Sequence, residues 1–184
     1  MFILMTGPRH VGKTTACWKA LPGLRATGLK IAGFVSPPLL SGEGRKTGIE
    51  MVDLTTGQRQ TFARVAGPDE TPTVGIYLLT EEATEWARGV LSRALTANSD
   101  WLVLDEIGPL ELRHNGGFAF ALAPLADPER IPNAIVLVRS ELAGELAERV
   151  GRTDTVTVEV TEANRLDVPG QLVRLVQAAR SKTG

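Results

Sequence analysis

The stretch Gly7-Pro8-Arg9-His10-Val11-Gly12-Lys13-Thr14 fits the pattern G-x-x-x-x-G-K-[ST]. That pattern demands a strand before it, a loop with inward-pointing amides, and a helix after it. The flanks agree. Phe2 to Thr6 is a short apolar run ending at Gly7, as a buried strand would be. A helix is expected to start near Gly12-Lys13 and stop at Gly28, with Pro22 kinking it or ending it early around Leu21. Successive loop amides and the helix N-terminus form a cradle for phosphate oxyanions. Lys13 is long enough to reach the β- and γ-phosphates, and the Thr14 hydroxyl is a ligand for Mg²⁺. His10 puts a bulky side chain where such loops often carry a small one, and both Arg9 and His10 read as solvent-facing.

The rest of the chain alternates strands and helices. Strands are expected at Lys30–Val35, Ile49–Leu54, Gln60–Arg64 and Val74–Leu79. Pro37-Pro38 closes the first of these, the polar loop Ser41–Lys46 follows, and Thr55-Thr-Gly57 joins the next two as a hairpin. From Ala83, the residues Trp86, Ala87, Val90, Leu91, Ala94 and Leu95 recur at helical spacing. Further strands are expected at Trp101–Leu104, Ala134–Val138 and Thr155–Val160, and helices at Glu141–Val150 and Pro169–Arg180. Apolar strands alternating with helices imply an α/β fold, a mostly parallel sheet with helices on both faces. The stretch from about 30 to 79 reads as an antiparallel hairpin extension of that sheet, so residues 1–184 are expected to form a single domain.

The formal net charge of −1 argues against an electrostatic nucleic-acid binder, which carries a basic surplus. The one cysteine, Cys17, cannot form an intramolecular disulfide, which fits a reducing, cytoplasmic setting. Phe2 to Met5 is too short for a signal-peptide core and far below the ~20 residues that span a bilayer. The sequence leaves a protein partner open.

A second chemical signal is Trp101-Leu102-Val103-Leu104-Asp105-Glu106, four apolar residues ending in acids. Beside a phosphate loop, such a strand supplies a carboxylate for Mg²⁺, here Asp105. Glu106 is then placed to orient or deprotonate a water facing the γ-phosphate. Glu111 has two readings, a substitute base or a residue that holds a loop or caps a turn. Arg113 and Arg139 are candidates for neutralising transition-state charge, against the alternative of ordinary surface arginines.

In several segments, taken in order, the chain resembles the small P-loop nucleoside-triphosphatases, the THEP-type or cancer-related family. Met5-Thr-Gly-Pro8 with Val11-Gly-Lys-Thr-Thr15 is similar to that family's phosphate loop. Gly33-Phe34, Gly44-Arg45 and Gly48 to Leu54 resemble its hairpin region, and Val74-Gly75 with Tyr77 its next strand. Leu104-Asp-Glu-Ile-Gly108 with Leu110-Glu-Leu112 looks like its most distinctive motif, and Val160-Thr161 with Asn164-Arg165 is similar to its C-terminal Asn-Arg pair.

The resemblance implies a RecA-like or AAA-like P-loop sheet that hydrolyses ATP, GTP and other nucleoside triphosphates with Mg²⁺. By the same resemblance, Gly7 to Thr14, continuing to Thr15, bind the nucleotide. Leu102, Val103, Leu104, Asp105, Glu106, Ile107, Gly108 and Pro109 form the second contacting stretch, with Lys13 and Glu106 catalytic and Thr14 and Asp105 holding the metal. Asn164 and Arg165 lie by the base or ribose, or else cap a helix start. Two positions depart from the family: His10 replaces the usual Gly of the loop, and Pro109 stands where many members carry Lys. A small-molecule kinase uses the same loop but needs an acceptor pocket and usually an Arg-rich lid, whereas only scattered arginines follow Glu106. A slow nucleotide-dependent switch is the third reading, with the Pro37–Lys46 loop either meeting a partner or simply connecting a hairpin.

Overall fold

The computed structural model describes residues 1–73 and 75–180. The chain begins with β1 (Phe2–Thr6), passes through the phosphate loop into α1 (Lys13–Ala26), and returns as β2 (Ile31–Val35). Four strands follow: β3 (Pro38–Leu40), β4 (Lys46–Asp53), β5 (Arg59–Val65) and β6 (Tyr77–Leu79). Then come α2 (Glu81–Ala94), β7 (Trp101–Ile107), α3 (Pro109–His114), a 3₁₀ turn at Ala119–Ala121 and α4 (Leu122–Ala126). The remainder is β8 (Ala134–Val138), α5 (Ser140–Val150), β9 (Thr155–Glu159) and α6 (Val168–Arg180).

All the strands belong to one sheet. Parallel strands stand in the order β2-β7-β8-β1-β9. Beyond β2, the strands β4, β5 and β6 continue the sheet antiparallel, and β3 pairs with β4. The mostly parallel sheet with an antiparallel extension is as expected, but the extension does not begin at residue 30: β2 runs parallel to β7, and only the strands after it are antiparallel. The inner parallel strands β2, β7, β8 and β1 are buried along nearly their whole length because both faces are covered, whereas β9 at the edge alternates threonine and valine and leaves Thr157 and Glu159 exposed. Along β1, Phe2 and Leu4 join one core with α2, α4 and α5, while Ile3 and Met5 join the other with α1 and α6.

Some local expectations are corrected. Of the two outcomes expected at Pro22, the early end around Leu21 does not occur: α1 runs through Pro22 to Ala26 and stops just before Gly28, where the sequence places its end. Pro22 removes one amide donor, yet Leu21 and Leu24 on either side are buried in the core shared with α6, and that packing carries the helix on. The strand expected at Val74–Leu79 shortens to Tyr77–Leu79, and Val74 lies outside the described residues. Conversely β7 extends past Leu104 to Ile107, so Asp105 and Glu106 are strand residues, not loop residues. The short β3, α3 and α4 carry too few residues for a periodic signal.

One close approach tightens the parallel core, and one aromatic cluster ties the extension to it. Gly33 sits at φ 101°, and a Cβ there would lie 1.9 Å from the Val103 carbonyl oxygen, so glycine is required where β2 meets β7. The ring of Phe118, after α3, lies 5.0 Å from that of Phe34 in β2 and 6.3 Å from that of Phe62 in β5. Among the described residues, no helix is long and apolar enough to cross a membrane.

Candidate active site

The strand order puts the C-terminal ends of β7, β8 and β1 side by side, and the phosphate loop leaves from β1. In open α/β sheets that edge is where ligands bind. Gly12, at φ 108°, is the N-cap of α1 and has no side chain to cap its first amides, nor does any acid stand in the first turn. Those donors are left for an anion. His10 has φ 62°, the left-handed region that glycine enters freely, which explains why a small residue is usual there. Its side chain is exposed, as are those of Pro8, Arg9 and Thr15, while Val11 packs into the core with α1.

Lys13 is buried and folds back over the loop. Its Nζ donates to the carbonyls of Gly7 at 3.0 Å and Pro8 at 3.1 Å, and lies 4.0 Å from Glu106 Oε2. Burial lowers its pKa, and the nearby carboxylates of Glu106 and Asp105 pull it back up.

Asp105 is held from two sides. The Thr14 hydroxyl donates to Oδ1 at 3.1 Å, and the Ser36 amide donates to Oδ2 at 2.8 Å. The Ser36 hydroxyl also donates to the Asp105 backbone carbonyl at 3.1 Å. Burial pushes the carboxyl up to about 6 against the opposing pull of the Ser36 and Thr14 hydrogen bonds. The Asp105–Glu106 peptide is cis. Glu106 is part-exposed, and Arg139 Nε donates to its Oε1 at 2.8 Å.

Thus Lys13, Thr14, Asp105, Glu106 and Arg139 gather at one edge. Other candidates do not join them in the expected way. Leu102, Val103, Leu104 and Ile107 are buried in the two apolar cores and not exposed at that edge. The Gly108 amide donates to Glu111 Oε2 at 2.9 Å, and Pro109 opens α3. Glu111 is buried and also accepts from the Phe118 amide at 3.2 Å, so it holds the turn. Arg113 pairs with Glu145 at 2.9 Å on the exposed α3–α5 surface.

Asn164 shapes its own turn: Oδ1 accepts from the Thr161 amide and Nδ2 donates to the Glu159 carbonyl, both at 2.8 Å. That turn nonetheless abuts the loop, because a Cβ on Gly7 would meet the Val160 carbonyl oxygen at 2.6 Å. Arg165 is exposed beside Gly12, with its Cδ 3.8 Å from where a Cβ would stand. Ser36 was the residue missed. Its only sequence signal is a hydroxyl closing a strand, which acquires meaning once β2 is known to neighbour β7.

Residues 2–173 match the family model described as NTPase. A nucleoside-triphosphatase THEP1 from Methanopyrus kandleri is 33% identical over 174 residues, covering 95% of this chain and 94% of that protein. The solution structure of a human cancer-related nucleoside triphosphatase superposes with a TM-score of 0.68 at 29% identity, over 96% of this chain and 97% of that one. The crystal structure of THEP1 from Aquifex aeolicus gives the same TM-score at 24% identity, over 96% and 99%, a likeness of fold.

Proposed function

Because the chain belongs to the NTPase family that its residues 2–173 match, we propose that it is a Mg²⁺-dependent nucleoside-triphosphatase that cleaves ATP, GTP and other nucleoside triphosphates to the diphosphate and phosphate. The observation that carries this reading is the hydrogen bond from Thr14 to Asp105, which joins the phosphate loop to the acidic strand at 3.1 Å. Thr14 Oγ1 and Asp105 Oδ1 are hard oxygen donors of the kind Mg²⁺ prefers, and they already stand together at this edge, so they would hold the ion, Asp105 directly or through water. Among the described residues no group of three or more His, Cys, Asp or Glu offers an alternative metal cage. A Mg²⁺ ion held by Thr14 and Asp105 would neutralise charge on the bridging and terminal phosphate oxygens.

The chain's own groups divide the remaining work. Amides of the loop and the first turn of α1 bind phosphate oxygens, and the uncapped N-terminus of α1 supports this. Lys13 exchanges the Gly7 and Pro8 carbonyls for phosphate oxygens, a short movement for an ammonium already held over the loop. Glu106 aligns a water and accepts its proton as the water attacks the γ-phosphorus, and the diphosphate leaves. A positioned base contributes about 10²–10⁴-fold. Arg165, beside Gly12, lines the ribose and base side of the site. Cys17, buried and unpaired, fits a cytoplasmic setting.

The test is phosphate release from a panel of nucleoside triphosphates, with Mg²⁺ and with a chelator, and with nucleosides and nucleotides added as acceptors. Metal-dependent release from several triphosphates is expected. Acceptors phosphorylated faster than free phosphate appears would identify a kinase and overturn the reading.

A further inference from the structure

The two oxygens of Glu106 have different surroundings. Oε1 takes the Arg139 Nε proton at 2.8 Å, whereas Oε2 faces Lys13 at 4.0 Å, beyond hydrogen-bond reach. Arg139 is the N-cap of α5, at the end of β8, the strand between β7 and β1. The next amide, of Ser140, donates to the Gly7 carbonyl at 3.3 Å, and Lys13 Nζ donates to that same oxygen. One short segment thus grips the phosphate loop through its backbone and the Glu106 carboxylate through its side chain.

We propose that Arg139 is a positioning residue for hydrolysis, which fixes the Glu106 carboxylate so that Oε2 alone is presented to the attacking water. The inference rests on Glu106 being the base, as argued above. A part-exposed glutamate has three side-chain torsions, and a general base must hold one oxygen within hydrogen-bond reach of its water. A guanidinium on Oε1 removes that freedom without occupying the reactive oxygen. Arg139 therefore acts through Glu106 and not on the phosphate, which separates it from the charge-neutralising role that the sequence suggested. Arg113, committed to Glu145 elsewhere, does not share the task.

The experiment is a double-mutant cycle with Arg139→Ala, Glu106→Gln and the pair, read as kcat, KM and the affinity for a non-hydrolysable triphosphate and for the diphosphate. Arg139→Ala is expected to lower kcat by about 10- to 100-fold, with KM and both affinities within about threefold. In the Glu106→Gln background the same change should lower the residual rate by less than about twofold, because there is no carboxylate left to position. Arg139→Lys, which can still pair with Oε1, should recover part of kcat; Arg139→Gln keeps a donor without the charge and serves if the alanine variant does not fold.

Additive losses in the double variant, with Glu106→Gln itself slowed by about tenfold or more but still measurable, would overturn this inference and leave the hydrolytic reading intact. So would a loss of triphosphate affinity of about tenfold or more with diphosphate affinity unchanged, which marks a γ-phosphate contact. Near-normal turnover by Glu106→Gln would remove the base assignment, and this inference with it.

Discussion

Replacing Glu111 by Gln asks whether the buried carboxylate beyond β7 holds backbone or handles protons. Both oxygens are engaged, Oε2 by the Gly108 amide at 2.9 Å and Oε1 by the Phe118 amide at 3.2 Å. Glutamine keeps the shape and one acceptor but turns an NH₂ donor toward the other amide. One charge-assisted bond is lost and one N–H is buried without a partner, a cost of about 2–3 kcal/mol. In a chain of 184 residues, that lowers the thermal midpoint by about 4–12 °C, at about 2–4 °C per kcal/mol. Circular dichroism melting measures the shift. Phosphate release, assayed well below the midpoint, should stay within about threefold of the unaltered protein, since no proton-transfer group is lost. An unchanged midpoint together with turnover reduced by about a hundredfold would refute the reasoning and make Glu111 the base.

Lys13→Ala removes a charge-assisted contact and should weaken triphosphate binding by about 10- to 150-fold in titration calorimetry; unchanged affinity would contradict the placement of the phosphates. Burial pushes Asp105 up to about 6, and only its ionised form ligates a metal. The Mg²⁺ concentration for half-maximal hydrolysis should therefore rise as pH falls, by about tenfold per unit below about 6. A flat dependence from neutral to acidic pH would show that Asp105 does not hold the ion. Gly33→Ala forces a methyl against the Val103 carbonyl and should cost about 3 kcal/mol or more in urea unfolding; a native midpoint would contradict the close approach of β2 and β7.

What the sequence disclosed was whatever is written locally. The loop from Gly7 to Thr14 is contiguous, and its flanking strand and helix have clear periodicity. Asp105 and Glu106 were legible because an apolar run leads into them. Strand neighbours were not legible, since periodicity reports that a segment is a strand and says nothing of what lies beside it. Ser36 reaches Asp105 only because β2 adjoins β7, and Arg139 reaches Glu106 only because β8 lies between β7 and β1. The same limit left Glu111 with two readings, as the directions of the Gly108 and Phe118 amides decide between them. At Pro22 a sound local rule gave way to the burial of Leu21 and Leu24, a tertiary effect that a helix-breaking residue cannot announce.

Phe118 has a consequence for how the molecule opens. Its amide is bound to Glu111, which also holds the turn after the acidic strand, while its ring packs at a tilt against Phe34 of the parallel core and stacks on Phe62 of the antiparallel extension. A fluctuation that frees β5 uncovers the Phe62 side of the Phe118 ring, next to the amide that Glu111 holds. The amides of the extension and of the turn behind Glu106 are therefore expected to exchange with solvent together and not strand by strand. Anything that grips the antiparallel strands would quiet the breathing of the edge that carries Asp105 and Glu106.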